Sequence, residues 1–191
     1  NVMAKIENVA VYGIDYSFKA SKYPFATDIS TLDYEKTDKI VDLAQCRSGT
    51  GHDNFLNGII VQFDLTLSIK AWVEMQRYHF MDFVSSMSTM HCISKMDVNS
   101  MCNEYVSLAV IDEVNRLKDI YLATKDKDDY LRLLYNIPTG FELTARMTTN
   151  YRQLKTIYLQ RRNHRLPDWH VVCDWIEKLP HSELIIGKKG E

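Results

Sequence analysis

The chain has 191 residues, 46% of them hydrophobic and 25% charged, a balance that supports an unaided core and excludes a disordered or low-complexity chain. Its formal net charge of −2 argues against a strongly basic nucleic-acid binder, so any anionic ligand must be held by individually placed residues. The four cysteines form no C-x-x-C pair and read as reduced, mostly buried thiols rather than as a zinc or redox site.

The opening residues show no charged segment followed by an apolar run, and no stretch approaches the roughly 18 apolar residues of a membrane span. The expected location is therefore cytoplasmic, with no membrane partner. Residues 5–14 alternate in part through Ile6, Val9 and Val11 and predict an opening strand. A polar stretch over 16–33, broken at Pro24, predicts loop. Residues 35–46 carry Ile40, Val41, Leu43 and Ala44 and predict a helix that ends near Ser48-Gly49.

The turn-forming run Gly49-Thr50-Gly51-His52-Asp53-Asn54 leads into the clearest strand of the chain. There Ile59, Val61, Phe63, Leu65 and Leu67 alternate with Ile60, Gln62, Asp64, Thr66 and Ser68. Residues 69–79 predict a short helix, and 83–91, rich in hydroxyls and poor in periodicity, predict a loop. Residues 103–123 predict a long helix, with Val106, Val110, Val114, Leu117 and Tyr121 at three- and four-residue spacing. A short helix over 129–135 stops at Ile137-Pro138; further helices are predicted over 149–163 and 169–178. Strands and helices are segregated rather than alternating, which favours an α+β fold, an antiparallel sheet flanked by helices, in one domain over 1–191.

Several constellations could carry chemistry. Asn150 and Arg161 lie close to three helical turns apart, with Leu154 and Ile157 between them, and could address two ends of a large ligand. The commoner role of such a pair is a helix cap and a surface ion pair. Arg77-Tyr78-His79, followed by Ser85, Ser86, Ser88 and Thr89, could hold a phosphate through charge-assisted bonds, although hydroxyls in loops more often satisfy their own backbone. His52 sits in a turn ahead of the best strand. The cluster Gln160-Arg161-Arg162-Asn163-His164-Arg165 could meet a phosphate, nucleic acid, or the negative end of its own helix. No Gly-rich phosphate loop, G-x-S-x-G elbow or H-E-x-x-H pair is present.

The order and spacing of these segments from about Gly51 to Trp169 resemble the flavin-dependent thymidylate synthases. That family has a histidine-containing turn before a strand, then a helix leading into R-H-R, with S-x-R-Y seven residues later. A long helix, a Leu-Pro stop and a helix bearing Asn and Arg follow. Arg77-Tyr78-His79 stands in the R-H-R region, Ser88-Thr89-Met90-His91 in the S-x-R-Y region, and Ile137-Pro138 at the stop. The spacing from Pro138 to Asn150 and on to Arg161 fits the family pattern and is the most specific part of the match. The chain departs from the pattern at Tyr78, His79, Met90, His91 and Leu134, and places one extra residue between Arg77 and Ser88.

The resemblance implies FAD at the interface of a homotetramer. It also implies transfer of a methylene from a folate (methylenetetrahydrofolate) to deoxyuridylate (dUMP) or a related uridine nucleotide, with NADPH as reductant. By the same resemblance His52, Arg77, His79 and Asn150 would contact the flavin. Arg77, Ser86, Ser88 and Arg161 would contact the nucleotide, with Arg161 and Ser88 at the reacting ring. Replacement of two family guanidiniums weakens the implied anion pocket, so a homologue that binds nucleotide, flavin or a partner protein without turnover is the alternative expectation. Contact with nucleic acid is not expected.

Overall fold

A computed structural model describes residues 4–188. The first strand, β1 (Lys5–Tyr12), carries a bulge between Glu7 and Ala10 where Asn8 adopts a φ of 53°. The Asn8 amide donates to Asp64 Oδ2 at 2.7 Å, and Arg146 Nη1 donates to the Asn8 carbonyl at 2.6 Å, so polar contacts pin the bulge. The chain then turns at Gly13, whose φ is 82° and where a Cβ would meet the Gly58 carbonyl oxygen at 2.3 Å. Only glycine fits that approach. Helix α1 (Ile14–Ala20) follows, occupying part of the stretch expected to be loop. It is short and has no side-chain cap, hence no start signal in the sequence.

Helix α2 (Asp38–Gln45) is capped by Thr37 and lies within the expected span. β2 (Ile60–Ser68) has the alternation expected of it, and Val61, Phe63, Leu65 and Leu67 are all fully buried. Ser68 caps α3 (Ile69–Met75) through Oγ. The segment expected to be a loop over 83–91 is instead the strand β3 (Asp82–Ser86) and the single turn α4 (Thr89–Cys92). All five residues of β3 are exposed, so no buried face imposes an apolar period on it.

After α5 (Val98–Met101) comes α6 (Leu108–Thr124), which starts later than the periodicity suggests and packs through Ile111, Val114 and Leu117 while Val110 stays exposed. α7 (Lys127–Tyr135) is capped by Asp126. β4 (Glu142–Asn150) then runs without a loop into α8 (Tyr151–Arg161). Thr149 and Asn150 are therefore the end of a strand, not the first turn of a helix as expected. α9 (Pro167–Ile176) and α10 (Glu183–Ile186) close the described chain.

The fold is α+β: one antiparallel sheet in the order β1-β2-β4-β3, flanked by helices. β2 and β4 pair in unbroken register from Ile60 opposite Asn150 to Ser68 opposite Glu142. The larger core joins the sheet to α2, α8, α9 and α10 through Phe63, Met147, Tyr151, Leu154 and Trp169, and a second cluster gathers α5, α6 and α7 around Phe141 and Leu133. No helix among the described residues is long and apolar enough to cross a membrane.

Candidate functional site

The junction from β4 to α8 opens on a cleft of about 410 Å³. Asn150 caps α8: its backbone is extended and its Oδ1 accepts from the Gln153 N–H at 2.8 Å. The positive end of the α8 dipole therefore faces the cleft. Across from it, the turn after α3 supplies Arg77 and His79, and the loop between α2 and β2 supplies Ser48 and Asn57.

Helix α8 turns a polar stripe to the cleft, Gln153, Thr156 and Gln160, flanked by Arg152 and Arg161. Leu154 and Ile157, expected to lie on the face shared by Asn150 and Arg161, are fully buried in the core instead. Asn150 and Arg161 reach the cleft from the cap and from the last turn. Three guanidiniums, of Arg77, Arg152 and Arg161, line the cleft, and among the described residues no carboxylate does. An anion placed there would meet charge-assisted donors on several sides.

Two networks set the arginines. Asp53, fully buried, accepts from Lys155 Nζ at 3.0 Å and from Arg152 Nε at 3.3 Å, and Lys155 also donates to the Cys46 carbonyl at 2.6 Å. This ties the loop before β2 to α8 and aims Arg152. Arg161 Nε donates to Tyr78 Oη at 2.8 Å, and its Nη1 lies 3.4 Å from Glu74 Oε2. The guanidinium also sits 4.6 Å from the Trp169 ring centroid, within cation–π range. Glu74 Oε2 accepts in addition from Trp169 Nε1 at 2.7 Å. Arg161 is thus held half-buried at the cleft wall, sharing its charge between a carboxylate, a phenol and an indole.

The structure brings Arg77, His79, Asn150 and Arg161 together in the cleft and leaves His52, Ser86 and Ser88 outside its lining. His52 is exposed on the loop that Asp53 anchors. Ser86 pairs with Ala145, five residues along β4 from Asn150, or about 17 Å at strand rise. Arg152, Asn57, Gln153 and Thr156 escaped the sequence reading. Gln153, Thr156 and Gln160 recur at i, i+3 and i+7, and that polar stripe opposite Leu154 and Ile157 was the available signal. No group of three metal-ligating side chains forms among the described residues.

No protein-family model matches the sequence, and no curated protein is similar to it in sequence. Solved structures do match. One is the flavin-dependent thymidylate synthase ThyX of Helicobacter pylori, complexed with FAD and dUMP: the TM-score is 0.74 at 14% identity, over 94% of this chain and 98% of that one. Another is the UMP/dUMP methylase PolB of Streptomyces cacaoi, bound with 5-Br dUMP: the TM-score is 0.61 at 17% identity, over 92% of this chain and 88% of that one. The chain has the thymidylate synthase ThyX fold across nearly its whole length.

Proposed function

We propose that this protein binds a flavin and a uridine nucleotide at the α8 cleft and transfers a one-carbon unit to the pyrimidine, as a divergent flavin-dependent thymidylate synthase. The observation that carries the reading is the cleft, where three guanidiniums and a helix N-terminus meet and, among the described residues, no carboxylate lines the wall. It lies on a fold whose solved examples hold FAD and dUMP.

The residues present suit a dinucleotide flavin. Arg77 and Arg152, which line the cleft, would meet its phosphates. The Asn150 amide nitrogen, free of the capping bond, can donate to a ring carbonyl. FAD, when bound, supplies the redox chemistry, with NADPH and a folate as the reductant and carbon donor implied by the resemblance. Arg161 would hold negative charge at the pyrimidine from a fixed, partly desolvated position. The protein's part is orientation and charge; no protein nucleophile is required.

We further propose that the site is completed by other copies of the chain, in a homotetramer. The cleft lies open to solvent, and β3 presents exposed Phe83 and Val84 on a sheet edge, with Phe80, Met87 and Met90 exposed beside it. A free edge of that kind demands a cover. Ser86 and Ser88 lie on or just beyond this edge, where they can reach a neighbour's cleft.

A second reading, binding without turnover, draws on Arg161, whose guanidinium is already engaged by Glu74 and Tyr78. The first reading predicts a flavin band in the absorbance spectrum after incubation with FAD and removal of the excess; the second is compatible with its presence or absence. Only the first predicts that adding dUMP and methylenetetrahydrofolate reoxidises NADPH-reduced flavin in the absence of oxygen. A protein that stays colourless with FAD sinks the first.

A further inference from the structure

A second cavity, of about 650 Å³, lies at the opposite end of the β2–β4 pair, about 27 Å from Asn150 at strand rise. There Ser68, the last residue of β2, faces Glu142, the first of β4. Asp168, in the first turn of α9, accepts the Ser68 N–H through Oδ2 at 2.9 Å. Ser68 Oγ is itself committed, accepting from the Ala71 N–H at 3.2 Å.

Glu142 is not committed. It is 4% exposed, yet among the described residues its Oε2 has no hydrogen-bond partner. An unpartnered buried carboxylate oxygen is unfavourable and rare, and this one lines a space of ligand size. The walls above it are apolar, formed by Val106, Val110, Leu166 and Val171.

The charge at the floor selects the ligand. Burial, and then the neighbouring Asp168 charge, push the Glu142 carboxyl up to about 7, against the pull of Lys5 on β1. Lys70 on α3 and Arg165 before α9 are exposed at the mouth, and Glu104 and Tyr105 approach from the loop before α6. Two acids at the floor reject an anion. A group that donates to Oε2 and carries positive charge would relieve both the missing bond and the repulsion between the acids.

We propose that this cavity binds a small organic cation, its amidinium or ammonium head donating to Glu142 Oε2 beside Asp168 and its apolar body lying along the valine wall. The site is separate from the α8 cleft and does not depend on flavin or nucleotide binding.

The test is calorimetric titration of the full chain with benzamidine at pH 5.5 and 8.5, with benzoate as the anionic control. Expected is binding to the wild-type protein that is roughly thirty-fold tighter at pH 8.5, because at pH 5.5 Glu142 must first lose its proton. Glu142→Gln should weaken binding at least tenfold at pH 8.5. Val110→Trp, which fills the cavity without touching the carboxylates, should do the same, and benzoate should give no heat. Absence of binding to the wild-type chain at millimolar benzamidine, or equal binding to Glu142→Gln, overturns the proposal.

Discussion

At the residue scale, Asn150 carries two tasks that substitution can separate. Its Oδ1 caps α8, and losing a cap costs about 1 kcal/mol, or a fall of roughly 2–4 °C in Tm for a chain of this size. Asn150→Ala should show that fall and should also lose FAD. Asn150→Ser restores a capping oxygen but not the amide donor, so Tm should recover while flavin retention does not. A serine variant that keeps its flavin band through gel filtration removes the amide from the site. Glu142 gives a second prediction. Because burial raises its carboxyl to about 7, the protonated form suits the folded chain. Its contribution is whole below the ordinary carboxylate range and is lost as pH rises through about 7. Glu142→Gln should therefore melt several degrees higher than wild type at pH 8.5 and at the same temperature at pH 4. The gain is on the order of 1–2 kcal/mol, less than the full shift implies because the carboxyl borders an open cavity.

At the element scale, the loop before β2 and helix α8 are joined by the buried Asp53 and its two cationic partners. Removing one member of a buried ion pair costs about 3 kcal/mol. Asp53→Asn should lower Tm by roughly 6–12 °C and should raise hydrogen exchange over residues 48–58, because Lys155 and Arg152 lose the charge that draws the loop inward. Unchanged exchange there would show that the loop is held by other contacts. The elements also show what the sequence could and could not disclose. β2 was legible because one face is wholly buried, and α2, α7 and α9 because their caps or apolar stripes are local. β3 was not, since it has no buried face: even Phe83, whose ring meets Trp72, stays exposed. β4 was missed because, as a central strand, it mixes Thr144, Arg146 and Thr148 with Ala145 and Met147, and its threonines resemble the start of the helix they precede. The spacing of Asn150 and Arg161 suggested one shared helix face; instead they line one cleft from the cap and the last turn of α8. That Arg152 joins them follows from Asp53, which is distant in sequence.

For the whole molecule, the open cleft and the bare edge of β3 make one prediction together. The wild-type chain should sediment as an assembly of several copies. Val84→Lys, on an exposed position of the edge, should shift it to the single-chain mass with its own melting transition intact. Flavin retention should fall in parallel if partner chains complete the cleft. A wild-type chain that sediments as a monomer at micromolar concentration removes the tetramer and the shared site at once.

The uninterrupted β2–β4 register constrains how this chain can change in length. From Ile60–Asn150 to Ser68–Glu142 every residue of one strand has a fixed opposite in the other. Deleting one residue inside β4 would turn every side chain beyond it to the other side of the sheet. That would either withdraw Asn150 from the head of α8 or bury Glu142 away from its cavity. Insertions should be tolerated over 32–36, where a connection without helix or strand joins the elements. Within 60–68 and 142–150 the chain should accept substitutions but no change in residue count, so the interval between the α8 cleft and the Glu142 cavity is set by strand length alone.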